Sequence, residues 1–321
     1  MRRLLILLLF LLLAFPTFGE TSPLPPETPA PARSHSGQFT TPEPPPVINV
    51  AAEPELADSL RFLLDAEYFH VWFPNIANAD EAVLIFGDEV WLIDCGDENA
   101  AIRGVELMKK LGVKKIDVLV NSHPHDDHLS GLRYTTDFFT VDKLLICFPE
   151  DVNKTMKYAM KRAKQLAIPV ESYSDGDVLT MGGGKVSLRF MLPQDLMLDM
   201  NNLSAQTLVQ YGKRRILFTA DIKTDGEAVL LKQHSADELR ADILKMPHHG
   251  KDILLPDFCD AVSPSLAVVT NTTVDWTGIK YLKNHSIPVM FTNTDGCYCH
   301  LYTDGNVWIA EYVPVSLPGK E

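Results

Sequence analysis

The stretch "NSHPHDDHLSGL", residues 121–132, places His123, His125, Asp126, Asp127 and His128 within six positions, directly after the apolar run "IDVLV". Only 10 histidines occur in 321 residues, so three of them in six positions is not the composition of an ordinary polar loop. Side chains that follow the end of a buried strand leave the sheet edge and can converge on one point. Neutral imidazole and carboxylate are ligands that suit zinc and similar divalent ions, and three-ligand sites with an open position are the catalytic kind. His123 and His125, two apart, can reach one ion together, while Asp127 and His128 can turn toward a second.

The flanking sequence supports a sheet edge at this point. "YFHVWF" (68–73), "AVLIFG" (82–87) and "EVWLIDCG" (89–96) read as successive strands joined by tight turns. Residues 98–112 carry Ala101, Ile102, Val105, Leu107 and Met108 near helical spacing, with Gly112 as the stop. "KIDVLVNS" reads as one further strand, and a polar helix is expected over residues 154–166. "KVSLRFML", "QTLVQYG", "RRILFTAD", "ADILKMP", "SLAVVTN", "IPVMFTN" and "NVWIAEYV" continue the strand pattern, with a helix near 277–283. The glycines of "MGGGK" (181–185) fit a hairpin turn better than a phosphate loop. Strands joined partly by hairpins and partly by helices predict an α/β fold in which two sheets pack together and helices cover the outside.

The N-terminus reads differently. Arg2 and Arg3, an apolar run from Leu4 to Phe15, and the small residues Thr17 and Gly19 have the layout of a signal peptide over residues 1–19. The apolar run is shorter than the ~20 residues that a membrane-spanning helix needs. Residues 20–52 are rich in Pro, Thr and Ser and cannot bury a core, so an extended linker is expected before a folded domain at 53–321. Secreted or otherwise extracytoplasmic placement follows, with no transmembrane domain in the mature chain.

His-x-His-x-Asp-His after a strand resembles the signature of the metallo-β-lactamase superfamily, and the remaining motifs agree in order. "WLIDCG" resembles that family's strand ending in Asp-x-Gly, and "ILFTAD" resembles the strand whose terminal Asp bridges two metals. "DILKMPHHG" and "NNLS" are similar to the "LKxxHHG" and "NNxS" segments of the ComEC-like branch, the extracytoplasmic domain of DNA-uptake competence proteins. The resemblance covers roughly residues 69–313 and implies a four-layer αββα sandwich. It implies metal ligands among His123, His125, Asp127, His128, Asp221, His248 and His249, holding two Zn2+ ions, with Mn2+ as the alternative. Of His248 and His249, one would be a ligand and the other a hydrogen-bond or proton donor; the sequence leaves open which. Asp127, His248, His249 and Lys251 are the catalytic candidates. Asp94 would orient a ligand histidine, while Asp80, Asn201, Asn202 and Ser204 would support the site or meet the substrate. Asp221 also stands where an N-cap of a following helix could stand.

The departures from the branch bear on substrate. Lys251 follows Gly250 where the branch has Ser; "NTTVDWTGIK" has no histidine where the branch often has "YGHP"; and "ANADEA" (77–82) keeps Asp80 but loses two glycines. The chain carries a net charge of −13, and loss of Arg2 and Arg3 would make it about −15, whereas a long nucleic-acid groove shows a basic stripe. The basic clusters are "KYAMKRAK" (157–164) and "KRR" (213–215), and a solvated helix face accounts for the first better than a phosphate-facing surface does. Five cysteines leave at least one thiol outside any disulfide, and Cys95 is expected to be a buried small residue. No Gly-x-Ser-x-Gly elbow is present.

A metal pair lowers the pKa of bound water toward about 7 and spreads the charge of a transition state, so hydrolysis needs no side-chain nucleophile. The expected function is a metal-dependent hydrolase, a phosphodiesterase or phosphoesterase, acting on nucleic acid, a nucleotide or a wall polymer. No stable protein partner is inferred. The alternative is a non-catalytic surface module that keeps the metal for stability and binds DNA or wall polymer.

Overall fold

Strand Glu89–Cys95 pairs antiparallel with Glu81–Phe86 on one side and parallel with Val118–Val120 on the other. That change of direction organises the first sheet. The computed structural model describes residues 49–51, 68–195, 197–272, 277–294 and 296–315, all within one compact unit, Pro44–Glu321. The expected signal peptide and most of the expected linker lie outside the described residues. At the end of that linker, Asn49–Ala51 runs parallel to Trp308–Pro314 at the sheet edge.

Among the described residues one sheet has nine strands and a second has seven, with a separate two-stranded ribbon. In the second sheet a meander from Val178–Met181 to Arg214–Phe218 gives way to parallel strands Ile243–Lys245, Leu266–Val269 and Val289–Phe291. Alternation along the strands sorts side chains between two faces. Ala82, Leu84 and Phe86 meet Phe190, Val209 and Ile216 between the sheets, while Val83 and Ile85 pack on the outer side with Val105, Met108 and Met156. Helices Glu98–Lys110, Leu132–Phe138 and Lys154–Leu166 cover the first sheet; Thr224–Gln233, Pro256–Val262 and Thr277–Asn284 cover the second. The result is the four-layer αββα sandwich.

Two local expectations change. "KIDVLVNS" is not one strand: Lys115–Ile116 pairs with Thr140–Val141 in the ribbon, and Val118–Val120 joins the first sheet. Asp117 makes the break, because its carboxylate accepts from the Val90 backbone N–H (2.8 Å) and substitutes a side chain for a ladder bond. Asp221 does not cap a helix. The helix starts at Thr224 behind Lys223, and Asn202 Oδ1 accepts from the Lys223 and Gly226 N–H groups (2.9 and 3.0 Å). "MGGGK" does join antiparallel strands Val178–Met181 and Val186–Met191. None of the five cysteines forms a disulfide, and Cys95 is fully buried.

Parallel pairing sets the site. Glu89–Cys95 and Val118–Val120 in one sheet, and Arg214–Phe218, Ile243–Lys245 and Leu266–Val269 in the other, end with their carboxyl termini on common edges. The edges are stitched together by Ala205 N–H to Ser122 O and Asn78 N–H to Thr270 O, both 3.0 Å.

Glu227, on the helix Thr224–Gln233, ties the second sheet's helical cover together by accepting from Leu255 N–H (2.8 Å) just before Pro256–Val262. Burial raises its carboxyl from an ordinary 4.5 to about 8. An acid raised in the fold contributes full stability below its unfolded pKa, and that stability is lost as pH climbs through the folded value. Glu227→Gln keeps the acceptor and removes the titration. Its melting temperature should match wild type at pH 4 and exceed it at pH 9 by at least about 2–4 °C. Equal thermal shifts at both values would refute the assignment.

Candidate metal centre

Asp94 ends its strand with a positive φ of 57°, which turns its carboxylate under the loop that follows Val120. It accepts from Asn121 Nδ2 (3.1 Å), Ser122 N–H (2.7 Å) and Ser122 Oγ–H (2.6 Å), and its Oδ2 holds His128 Nδ1 at 2.8 Å. With Nδ1 held, the other ring nitrogen of His128 faces away from Asp94.

Asp80 does the same for His249. Its Oδ1 lies 3.0 Å from His249 Nδ1 and accepts from Thr270 Oγ–H, while its Oδ2 is paired with Lys245. The Lys245 ammonium also donates to the carbonyl of Ala220, the residue before Asp221 (3.1 Å). Burial alone would raise the Asp80 carboxyl, but Lys245, with His249 and His128, holds it far below the usual range.

The free ends of these two rings meet at Asp221. Oδ1 of Asp221 lies 3.1 Å from His128 Nε2 and 3.3 Å from His249 Nε2, and Asp127 Oδ2 is 3.3 Å from the same His249 atom. These atoms are close without being aimed at one another: His128 Nε2, His249 Nε2 and Asp221 Oδ1 are all buried and make no hydrogen bond. On the other side, one ligand atom each from His123, His125 and Asp221 lie within 4.8 Å of one another, with His248 Nε2 3.6 Å from Asp221 Oδ2. The donor set is imidazole and carboxylate, its atoms His128 Nε2, His249 Nε2 and Asp221 Oδ1 lack protein partners, and Asp80 and Asp94 hold the His249 and His128 rings from behind. These residues fit divalent ions.

Electrostatics point the same way. Burial would lower the His249 imidazole, yet the Asp221 and Asp80 carboxylates outweigh it and push it up to about 9. His128 is raised above its ordinary value because Asp221 and Asp94 overcome its burial. Asp127, which burial would raise, is instead pulled to about 2 by the neighbouring His249 and His128 imidazoles. Protons on these rings occupy the place of a cation, and metal binding releases such protons.

The remaining candidates fall at the rim or behind it. Ser204 Oγ accepts from Asp221 N–H (3.3 Å), Asn202 caps the Thr224–Gln233 helix, and Asn201 sits half-buried in the same turn. His248 and His249 both take positive φ (45° and 55°) in the turn Pro247–Gly250, which sends their rings to different sides. His249 is buried; His248 is partly exposed and its Nδ1 contacts Asp252 Oδ2. Lys251 closes the turn through its N–H to His248 O (3.0 Å). Sequence reading missed Lys245, Ser122, Thr270 and Asp252 as parts of the site. Lys245 had one available signal: a cation inside the apolar run "ILKMP" needs a buried carboxylate partner.

The sequence model described as "Metallo-beta-lactamase superfamily" matches residues 81–256, more than half of the chain. The chain belongs to the metallo-beta-lactamase superfamily. Members of this superfamily are generally metal-dependent hydrolases. ComE operon protein 3 of Bacillus subtilis (strain 168) is 23% identical over 213 residues, covering 63% of this chain and 27% of that protein, so the chain spans about a quarter of its length. The metallo-beta-lactamase fold protein YhfI from Bacillus subtilis has a TM-score of 0.45 at 12% identity, covering 70% of this chain and 95% of that one. A Cronobacter sakazakii metallo-beta-lactamase with a HARLDQ motif has a TM-score of 0.39 at 17% identity, covering 54% and 73%. Among the described residues no helix is long and apolar enough to cross a membrane.

The Lys245–Asp80 pair is buried on both sides, so removing one partner strands a charge. Lys245→Met should lower unfolding free energy by about 3–5 kcal/mol. The double variant with Asp80→Asn should recover part of that loss, as chemical denaturation of both proteins would show. A single variant as stable as wild type would refute the pairing.

Proposed function

We propose that this protein is an extracytoplasmic, metal-dependent hydrolase of phosphoester bonds that works with two zinc ions. The observation that carries this reading is the set of buried, unpartnered atoms His128 Nε2, His249 Nε2 and Asp221 Oδ1 facing one another at the sheet edges. His128, His249, Asp127 and Asp221 would hold one ion; His123, His125 and Asp221 would hold the other. Metals there would acidify a water and polarise the substrate oxygen. A structural metal site needs one closed ion, whereas two groups of ligands sharing Asp221 and opening toward partly exposed His125, Asp127 and His248 favour turnover.

The chain's own residues divide the remaining work. Asp94 and Asp80 keep the Nδ1 atoms of His128 and His249 occupied, so each ring would hold an ion through Nε2. His248, braced through Nδ1 by Asp252, would give the proton on Nε2 to the leaving oxygen. Lys251, next in the chain after Gly250, adds a cation for an anionic substrate. The phosphoester assignment is supported by the likeness of "LKMPHHG" to ComEC-like sequences and by this cation. The layout of residues 1–19 supports export.

Metal analysis with turnover of bis-(p-nitrophenyl) phosphate tests the reading. Wild type should hold close to two zinc ions per chain and lose activity on chelation. His249→Ala should lose metal, while His248→Ala should retain it and lower kcat by about 10²–10³. Full activity after chelation would overturn the proposal, and two bound ions with no hydrolysis across a screen of phosphodiesters, phosphomonoesters, lactones and β-lactams would assign a binding module instead.

Lys251→Ala should mainly raise KM for anionic esters, since a flexible cation binds ground state and transition state alike. A fall in kcat with unchanged KM would place Lys251 in the chemical step.

A further inference from the structure

The helix Lys154–Leu166 is tied to the metal loop at its first turn. Its N-cap Asn153 accepts from Met156 N–H through Oδ1 (2.8 Å) and donates from Nδ2 to the carbonyl of Pro124 (2.7 Å), the residue between His123 and His125. Thr155 is bonded to Asp126, on the other side of His125. The helix therefore starts beside the candidate metal centre and runs away from it.

Its composition is one-sided. "KTMKYAMKRAKQL" contains no acid; Met156, Ala159 and Ala163 are buried against the first sheet, and Lys154, Lys157, Tyr158, Lys161 and Lys164 are exposed. Spacings of three and four residues put these exposed side chains on one face, about 4.5–6 Å apart along the axis. Arg162 is held by Asp137, but among the described residues no carboxylate pairs with Lys157, Lys161 or Lys164. On a chain of net charge −13 this is a local concentration of cations, not a general basicity. A cavity of about 440 Å³ lies along the helix, with Arg133, Tyr158 and Lys161 in its wall and with Asp126 and Glu98 as its acids. Tyr158 is 60% exposed, and Lys154 Nζ lies 5.6 Å from its ring centroid.

We propose that this helix face is a docking track for single-stranded nucleic acid, which holds the phosphates flanking the one at the metal centre. The proposal rests on the phosphoester reading above and deepens it. Unpaired lysines in a row match successive backbone phosphates. An exposed ring among them offers a stacking surface for a base, which a wall polymer without bases would not use. Polymer substrates would thus be gripped beyond the reacting group, whereas small esters would not.

Binding is read without turnover, by fluorescence anisotropy of a labelled phosphorothioate oligothymidylate of about 20 nucleotides with the metal-loaded full chain. The triple variant Lys157→Gln, Lys161→Gln, Lys164→Gln should bind at least about tenfold more weakly at low salt. The slope of log K against log salt should become shallower by about 2, near 0.7 for each phosphate that is no longer neutralised. Tyr158→Ala should weaken binding about fivefold or more with an unchanged slope, and should leave the affinity for an abasic phosphodiester strand as in wild type. Unchanged affinity and slope in the triple variant would overturn the docking track. Unchanged thymidylate affinity in Tyr158→Ala would overturn the nucleic-acid assignment. Absence of ester hydrolysis would defeat the hydrolase reading alone, since this measurement needs no cleavage.

Discussion

Three carboxylates are buried side by side where the two sheets meet, and that constraint shapes the surrounding structure. Asp80, Asp94 and Asp221 are 6%, 1% and 1% exposed, and burying a charge is costly unless it is paired and hydrogen-bonded. The protein solves the problem twice and leaves it open once. Asp94 is saturated by Asn121, Ser122 and His128, and Asp80 by Lys245, Thr270 and His249. Asp221 keeps an oxygen with no hydrogen bond, facing two imidazole nitrogens that also have none. The saturated pair fixes the rings, and the unsaturated one leaves a carboxylate oxygen facing them, as a candidate cation site requires.

Backbone geometry serves the same end. Asp94, Ala220, His248 and His249 all have positive φ without being glycine, and each marks a strand end that delivers a side chain to the centre. Such conformations cost of order 1–3 kcal/mol each and persist where the surroundings over-determine them. Here the surroundings are the long-range bonds of Asp80, Asp94 and Lys245. Gly131 shows how tight the loop is: a Cβ there would lie 2.0 Å from the Cys95 carbonyl oxygen, so the turn after His128 presses directly on the strand that carries Asp94.

Much of this was legible locally. Apolar strands, the helix Lys154–Leu166 and the hairpin over "MGGGK" follow from period and turn chemistry, which act over a few residues. The cluster at 121–132 was legible for the same reason, since a strand end concentrates its chemistry within one short loop. What escaped were side chains whose meaning lies in distant partners. Asn202 was expected at the site and instead caps a helix through Lys223 and Gly226, while Lys245 looked like one cation in a strand. Asp117 carried no local sign that it would split a strand.

The sequence by itself determined most of the strand and helix order, the two-sheet architecture and the crowding of histidine and aspartate at 121–132, because periodicity and residue type are local properties. Only the tertiary structure decided how those residues divide. His248 and His249 are neighbours with the same chemistry. Yet His249 is buried with its Nδ1 held by Asp80, 169 positions away, and His248 turns to the rim beside Asp252. The direction of an imidazole nitrogen is set by the hydrogen bond on its other nitrogen, and here that partner arrives from another sheet.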